Sequence, residues 1–221
     1  MAAVARTGPP EPPLDCPKCP RLVSYLDETR AKEPNWFNAP VPSFGPEDAT
    51  LLIVGLAPGI TGANRTGRPF TGDYAGDLLY ATLAEFGFSN DQYDARPDDG
   101  LALRSAMITN AVRCVPPQNK PNGAEINACR PYLISRIQAL PNLKVILALG
   151  KIAHDSTVRA LGGKLADVKF AHGARHAFQG LNGPITLFDS YHCSRYNTNT
   201  RRLTPDMFRS VFREIRNDIG Q

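Results

Sequence analysis

Residues 51–55 read LLIVG, and residues 56–73 continue as LAPGITGANRTGRPFTGD. Four apolar positions in a row, closed by a glycine, describe a strand buried on both faces, because a strand with one wet face would alternate. Three further runs have the same character: AMITN at 106–110, VILAL at 145–149 and ITLFD at 185–189. Helical periodicity fills the intervals, over 77–86 closed by Gly87, over 125–140 with Pro131 as an interruption, and over 152–161 closed by Gly162 and Gly163. An earlier helix over 21–32 stops before Pro34, since the residue before a proline avoids the α region. The last helix opens with Thr204 as N-cap and Pro205 at its first position, and gathers Met207, Phe208, Val211, Phe212 and Ile215 on one face. Alternation of strand and helix predicts an α/β fold, a three-layer α/β/α sandwich around a central four-stranded parallel sheet.

Composition bounds what such a chain does. The 221 residues are 42% hydrophobic and 21% charged, close to a globular average, so disorder as the main state is excluded. Lys and Arg number 25 against 21 acidic residues, a net charge of +4 that permits a polyanionic partner without requiring one. No apolar run reaches the roughly 18 to 20 residues of a membrane span, and the N-terminus lacks a secretory apolar core, so the expectation is a cytoplasmic protein with no membrane contact. Residues 1–15, ending after GPPEPP, carry no periodicity and are expected to be a disordered tail before a single domain over 16–221.

In an open parallel sheet, ligands bind beyond the carboxyl ends of the strands. The loops there are long and polar: the glycine-rich stretch above, AVRCVPPQNKPNG after the second run, and SYHCSRYNTNTRRLTP after the fourth. The first is not a nucleotide loop, because G-x-x-x-x-G-K-[ST] is absent and no G-x-G-x-x-G leads into a helix. Its glycines, Gly55 and Gly59 among them, let backbone approach a flat ligand, with Phe70 either a stacking platform or a core residue. His192, directly after the fourth strand, is open to a functional or a structural reading. His172 and His176 are spaced i, i+4 but flanked by glycines, which favours a turn or hairpin over a metal-presenting helix. Arg209, Arg213 and Arg216 form the polar face of the last helix, an ordinary solvated face or a phosphate contact.

Five cysteines in a reducing compartment are read as ligands, reactive thiols or core residues. Cys16 and Cys19 form C-x-x-C, and Cys114 and Cys129 stand 15 apart. An iron–sulfur cluster tolerates that uneven spacing better than a zinc ribbon does, with zinc and unliganded cysteines as alternatives.

Taken together, GLAPGITGANRTGRPFTGD, TNAVRCVPP, the four cysteines and SYHCSRYN closely resemble the type-5 uracil-DNA glycosylases, the UDGb family of the uracil-DNA glycosylase superfamily. The resemblance covers nearly the whole chain after Asp15. It implies a uracil-DNA glycosylase-like fold, a 4Fe–4S cluster on Cys16, Cys19, Cys114 and Cys129, and a monofunctional hydrolase that excises uracil and related deaminated or damaged bases from double-stranded DNA, leaving an abasic site. It implies that Phe70 stacks on a flipped base, that Asn110 reads its edge beside Gly55, Ala57 and Gly59, and that His192 sits near the glycosidic bond. In this reading Asp73 is the carboxylate that orients water and stabilises a cationic sugar, or else the cap of the following helix. Arg195, Tyr196 and Asn197 are expected at the DNA, Tyr196 as the wedge that enters the stack and Arg195 on phosphate. The protein is expected to act as a monomer in a bacterial or archaeal cytosol. The sequence departs from the superfamily in two places: Leu56-Ala57 replaces an acidic or amide group, and Cys193 stands where proline is usual. The rival readings are a catalytically silent iron–sulfur protein that binds damaged DNA and a zinc-stabilised nucleoside hydrolase.

Overall fold

A computed structural model describes residues 8–220. The three apolar runs at 51–55, 106–110 and 145–149 form strands β1 (Leu51–Gly55), β2 (Ala106–Asn110) and β3 (Val145–Leu149), every residue of each buried. Alternate residues of one strand feed opposite layers, as period-two geometry dictates. Leu51 and Ile53 join a cluster with Leu79, Leu83, Phe208 and Phe212, while Leu52 and Val54 join Leu133, Ile137, Ala153 and Val158.

The sheet has five strands, in the order β2-β1-β3-β5-β4, where β4 is Arg175–Gly180 and β5 is Gly183–Ser190. The four strands read from sequence pair in parallel, and β4 adds an antiparallel edge on β5. The expected four-stranded sheet is therefore one strand short. RHAFQG alternates between exposed and half-buried residues, which is edge-strand behaviour and carries none of the continuous apolar signal of the other four. His176 lies in this hairpin, as the flanking glycines suggested.

Helix α1 (Pro20–Lys32) packs near α4 (Gly123–Ala139), and α2 is the single turn Ala63–Thr66. Helix α3 (Tyr74–Glu85) and the final helix α7 (Pro205–Ile219) cover one face of the sheet, while α4 and α5 (Lys151–Ala160) cover the other. The short α6 spans Arg195–Asn199. Thr204 caps α7 by accepting from Met207 N–H, with Pro205 at the first turn. Helix α4 runs through Pro131 without ending there, held at its start by a capping box in which Asn122 and Glu125 exchange hydrogen bonds. Glu125 also accepts a fork from Arg21 at 2.7 and 2.8 Å, which ties α1 to the head of α4.

The N-terminal segment differs from the tail expected over residues 1–15. Residues 1–7 lie outside the described residues, but Pro12 is buried and Glu11 sits at the centre of an ionic network. Its carboxylate accepts from Arg113 at 2.7 Å, from Arg136 at 2.6 and 3.1 Å, and from the Ser43 N–H at 3.1 Å. Both guanidinium groups are almost wholly buried and need a counter-charge, which composition and periodicity cannot reveal because the partners lie 102 and 125 residues away. Among the described residues no helix is long and apolar enough to cross a membrane.

Candidate active site

A cavity of about 330 Å³ opens at the carboxyl ends of β1, β2 and β5. Leu56, Ala57, Gly59, Phe70, Asp73, Asn110 and His192 line it, brought together from residues up to 136 positions apart because the parallel strands aim all three loops the same way.

Asn110 is the last residue of β2, 3% exposed, and its side chain has no hydrogen-bond partner among the described residues. The His192 ring likewise bonds to nothing there and stacks on Phe70, with centroids 5.8 Å apart and planes 24° from parallel. Desolvation in the cavity lowers its pKa to about 4, so the imidazole is neutral at physiological pH. Phe70 adopts a left-handed backbone, φ +54°, which turns its ring into the cavity from the tip of a tight turn. Gly55 stands behind these groups: a Cβ there would lie 2.4 Å from Asn110 Oδ1 and 2.8 Å from the Phe70 ring. Its missing side chain makes room for protein groups, a different use from the close approach to ligand expected from sequence.

Asp73 caps the helix that follows it and also lines the cavity. It is the N-cap of α3, with Oδ1 accepting from Gly76 N–H at 3.2 Å, while Oδ2 turns toward Gly59 and Gly62, where a Gly62 Cβ would come within 2.7 Å. Burial raises its pKa, opposed by the N–H groups of Gly76 and Ala75 that stabilise the anion.

At the mouth, Tyr196 is 72% exposed and Arg195 lies over the ring of Tyr74 at 5.3 Å. Asn197 faces inward: its amide donates to the His192 carbonyl at 2.8 Å and braces that residue's backbone. Cys193 is fully buried, its thiol donating to Ala75 O at 3.4 Å, so where proline would stiffen the loop this thiol ties it to α3. Asn119 also lines the cavity and was not singled out from sequence. Left-handed backbone at Gln118 and Asn119 swings it there, and the only hint in sequence is QNK between Pro117 and Pro121.

Four residues beyond Asn110, the same loop reaches a second pocket. Cys16, Cys19, Cys114 and Cys129 line it with Leu22, Val23 and Val112, and no cysteine is in a disulfide. Burial and the neighbouring thiols push Cys19 up to about 11 and Cys114 up to about 12, so four thiolates coexist here only with a compensating cation. The Arg113 N–H points at Cys129 Sγ at 3.4 Å, the kind of donor that supports a metal-bound thiolate. The donor set and its apolar shell fit an iron–sulfur cluster.

A third group, His154, His176 and Asp189, is compact enough for a metal ion. His154 Nδ1 lies 2.7 Å from Asp189 Oδ1 and Nε2 lies 3.1 Å from the Val168 carbonyl, which makes both nitrogens donors. Burial disfavours a charge on His154, yet its bond to Asp189 outweighs this and raises the pKa, and the pair fastens α5 to β5.

The profile of the Uracil DNA glycosylase superfamily matches residues 42–216. A type-5 uracil-DNA glycosylase of Thermus thermophilus is 42% identical, over 93% of this chain and 94% of its own. One from Pyrobaculum aerophilum is 36% identical over 94% and 90%, and a type-4 uracil-DNA glycosylase of Sulfurisphaera tokodaii is 31% identical over 77% and 72%. With the glycine-rich turn, the residues that line the cavity, and Cys114 and Cys129 inside residues 42–216, and a type-5 relative 42% identical over most of both chains, the chain belongs to the type-5 uracil-DNA glycosylases of the uracil-DNA glycosylase superfamily.

Proposed function

We propose that the protein is a monofunctional DNA glycosylase that extrudes uracil, and related deaminated bases, from duplex DNA and hydrolyses the N-glycosidic bond. The observation that carries this reading is a cavity whose polar groups, Asn110 and His192, bond to no residue described, beside an aromatic ring and a carboxylate. Buried amides and imidazoles are ordinarily satisfied, so a pair left open toward a cavity is reserved for a ligand.

A base inside a stack is out of reach, so the enzyme takes it out of the duplex. Phe70 receives its face, and the Asn110 amide, donor and acceptor in one group, matches the edge of uracil. As the bond to C1′ breaks, the electron pair goes to the base and positive charge grows on the sugar. Neutral His192 donates a hydrogen bond to the oxygen where the base's negative charge collects, and Asp73 Oδ2 faces the sugar, holds the water that adds to C1′ and takes the proton that water loses, while the departing base anion is protonated from solvent. Because Oδ1 is held by the start of α3, the carboxylate is fixed before substrate arrives. Tyr196 fills the gap left by the base, while Arg195, with Arg201 and Arg202 nearby in sequence, meets phosphate.

Cys16, Cys19, Cys114 and Cys129 hold a 4Fe–4S cluster, which supplies a structural joint between the N-terminal segment and the loop after β2. The protein acts as a monomer.

The test uses anaerobically purified protein and a duplex with one uracil. Alkali-dependent strand breaks at that position alone are expected; intact DNA with the protein still bound would overturn the catalytic reading.

A further inference from the structure

The segment 87–105 between α3 and β2 carries a buried carboxylate to which the proposed mechanism assigns no task. Asp99, its side chain 1% exposed, pairs bidentately with Arg68 at 2.7 and 2.8 Å and accepts the N–H groups of Asp94 and Leu101. These partners hold its carboxyl well below the usual carboxylate range. Arg68 in turn donates Nε to Thr71 Oγ1 and Nη2 to the Arg96 carbonyl, both at 2.7 Å, and its guanidinium lies over the rings of Phe44, Tyr80 and Tyr93. Every link converges on the turn 68–73. Tyr80 donates to the Pro69 carbonyl at 2.6 Å and Tyr93 to the Phe70 carbonyl at 3.4 Å. Gly76 lies so close that a Cβ there would stand 1.8 Å from the same Phe70 oxygen.

This bracket holds a backbone that would not keep its shape alone. Phe70 is a bulky residue at φ +54° and Gly72 follows at φ +86°, so the turn persists only where its surroundings over-determine it. Phe70 and Asp73, three residues apart, face one cavity from that turn, and a shift at either end moves both.

We propose that Asp99 is a positioning residue for base excision: through Arg68 it locks the 68–73 turn so that the Phe70 ring and the Asp73 carboxylate meet the extruded nucleotide together. This inference rests on the roles given above to Phe70 and Asp73. Asp99 touches neither base nor sugar. A buried ion pair is a poor source of stability beside an apolar core, and its service here is geometric.

The experiment compares native protein with Asp99→Asn, which keeps shape and removes charge. Single-turnover excision of uracil is expected to fall about 100-fold, the cost of misplacing reacting groups by about 1 Å. Affinity for a uracil-free duplex is expected to stay within about twofold, since the wedge and phosphate contacts are elsewhere. A purely structural role would not alter the His192 ring selectively, so the four histidines are also titrated by NMR. In native protein, where desolvation lowers its pKa to about 4, the His192 ring is expected to stay neutral down to about pH 5; in Asp99→Asn, with Phe70 drawn off its face, its pKa is expected to move toward 6.5. Unchanged excision, or excision and duplex affinity falling in parallel, overturns the proposal. Should Asp99→Asn not fold, Arg68→Lys replaces it: the charge stays, the fork is lost, and a fall of about 10-fold with the same movement of His192 is expected, while an unchanged rate overturns the proposal. Phe70→Ala separates the two levels. If it excises normally, the role given to Phe70 fails; if it is impaired and Asp99→Asn is not, the positioning inference alone fails.

Discussion

The cavity around Asn110 and the thiol pocket that begins four residues later treat polar groups in opposite ways. In the first, an amide and an imidazole are drawn out of bulk water and given no protein partner. In the second, Arg113 turns both terminal nitrogens of its guanidinium to Glu11, Ser43 Oγ, and the Val41 and Pro10 carbonyls, and its backbone N–H to a cysteine sulfur, leaving only Nε without a partner among the described residues. Ser43 then donates to Thr109, the neighbour of Asn110, so one wired region stands directly behind one unwired one. Unsatisfied polar atoms are costly, and the wired side supplies the rigidity that keeps the open side from collapsing onto its own groups.

The largest effect expected from this contrast is at the thiols. Cys129→Ser removes one of the four thiols proposed to hold the cluster and is expected to abolish iron content, visible absorbance and soluble yield together; a colourless variant that folds and excises normally would break the comparison. Asp73→Asn comes next. Asparagine caps a helix as well as aspartate does, so the unfolding free energy is expected to hold within about 1 kcal/mol while single-turnover excision drops about 10² to 10³-fold. Calorimetry beside quench kinetics separates the capping oxygen from the one proposed to hold water.

Glu11→Gln probes the wired side. Burial resists the charge on Glu11, but Arg113, Ser43 and Arg136 hold its pKa below 4.5. A carboxyl lowered in the fold stabilises the protein above its unfolded pKa and loses that contribution as pH falls through the folded value. The substitution is expected to cost about 2 kcal/mol at pH 7 in urea unfolding, reduced from a fully buried pair because Glu11 is 29% exposed. The penalty should shrink below pH 4. The smallest effect concerns His192. An imidazole with its pKa near 4 is neutral from pH 8 down to 5, so the excision step should not gain rate across that interval. A rise centred near 6.5 would mean that the imidazolium is the active form.

What sequence disclosed follows the range of the forces involved. β1, β2 and β3 were legible to the residue because burial on both faces writes a continuous apolar run. The four cysteines were legible as a set because thiols are scarce. β4 was not, because an edge strand alternates weakly and is specified by its hairpin with β5. Helix α4 outlasts Pro131 because packing and its capping box outweigh one lost hydrogen bond. Glu11 and Asp99 were silent for a different reason: each is one acidic residue in a polar stretch, and its partner becomes visible only when the chain has folded.

Cys193 gives the protein a blind thiol. With no accessible surface and its hydrogen committed to Ala75, it is out of reach of an alkylating reagent while the fold is intact. Adducts counted by mass on the folded protein therefore tally only the four remaining thiols, none while a cluster occupies them and as many as four once it is gone. A fifth adduct marks the opening of the molecule itself, so one spectrum distinguishes loss of cofactor from loss of fold.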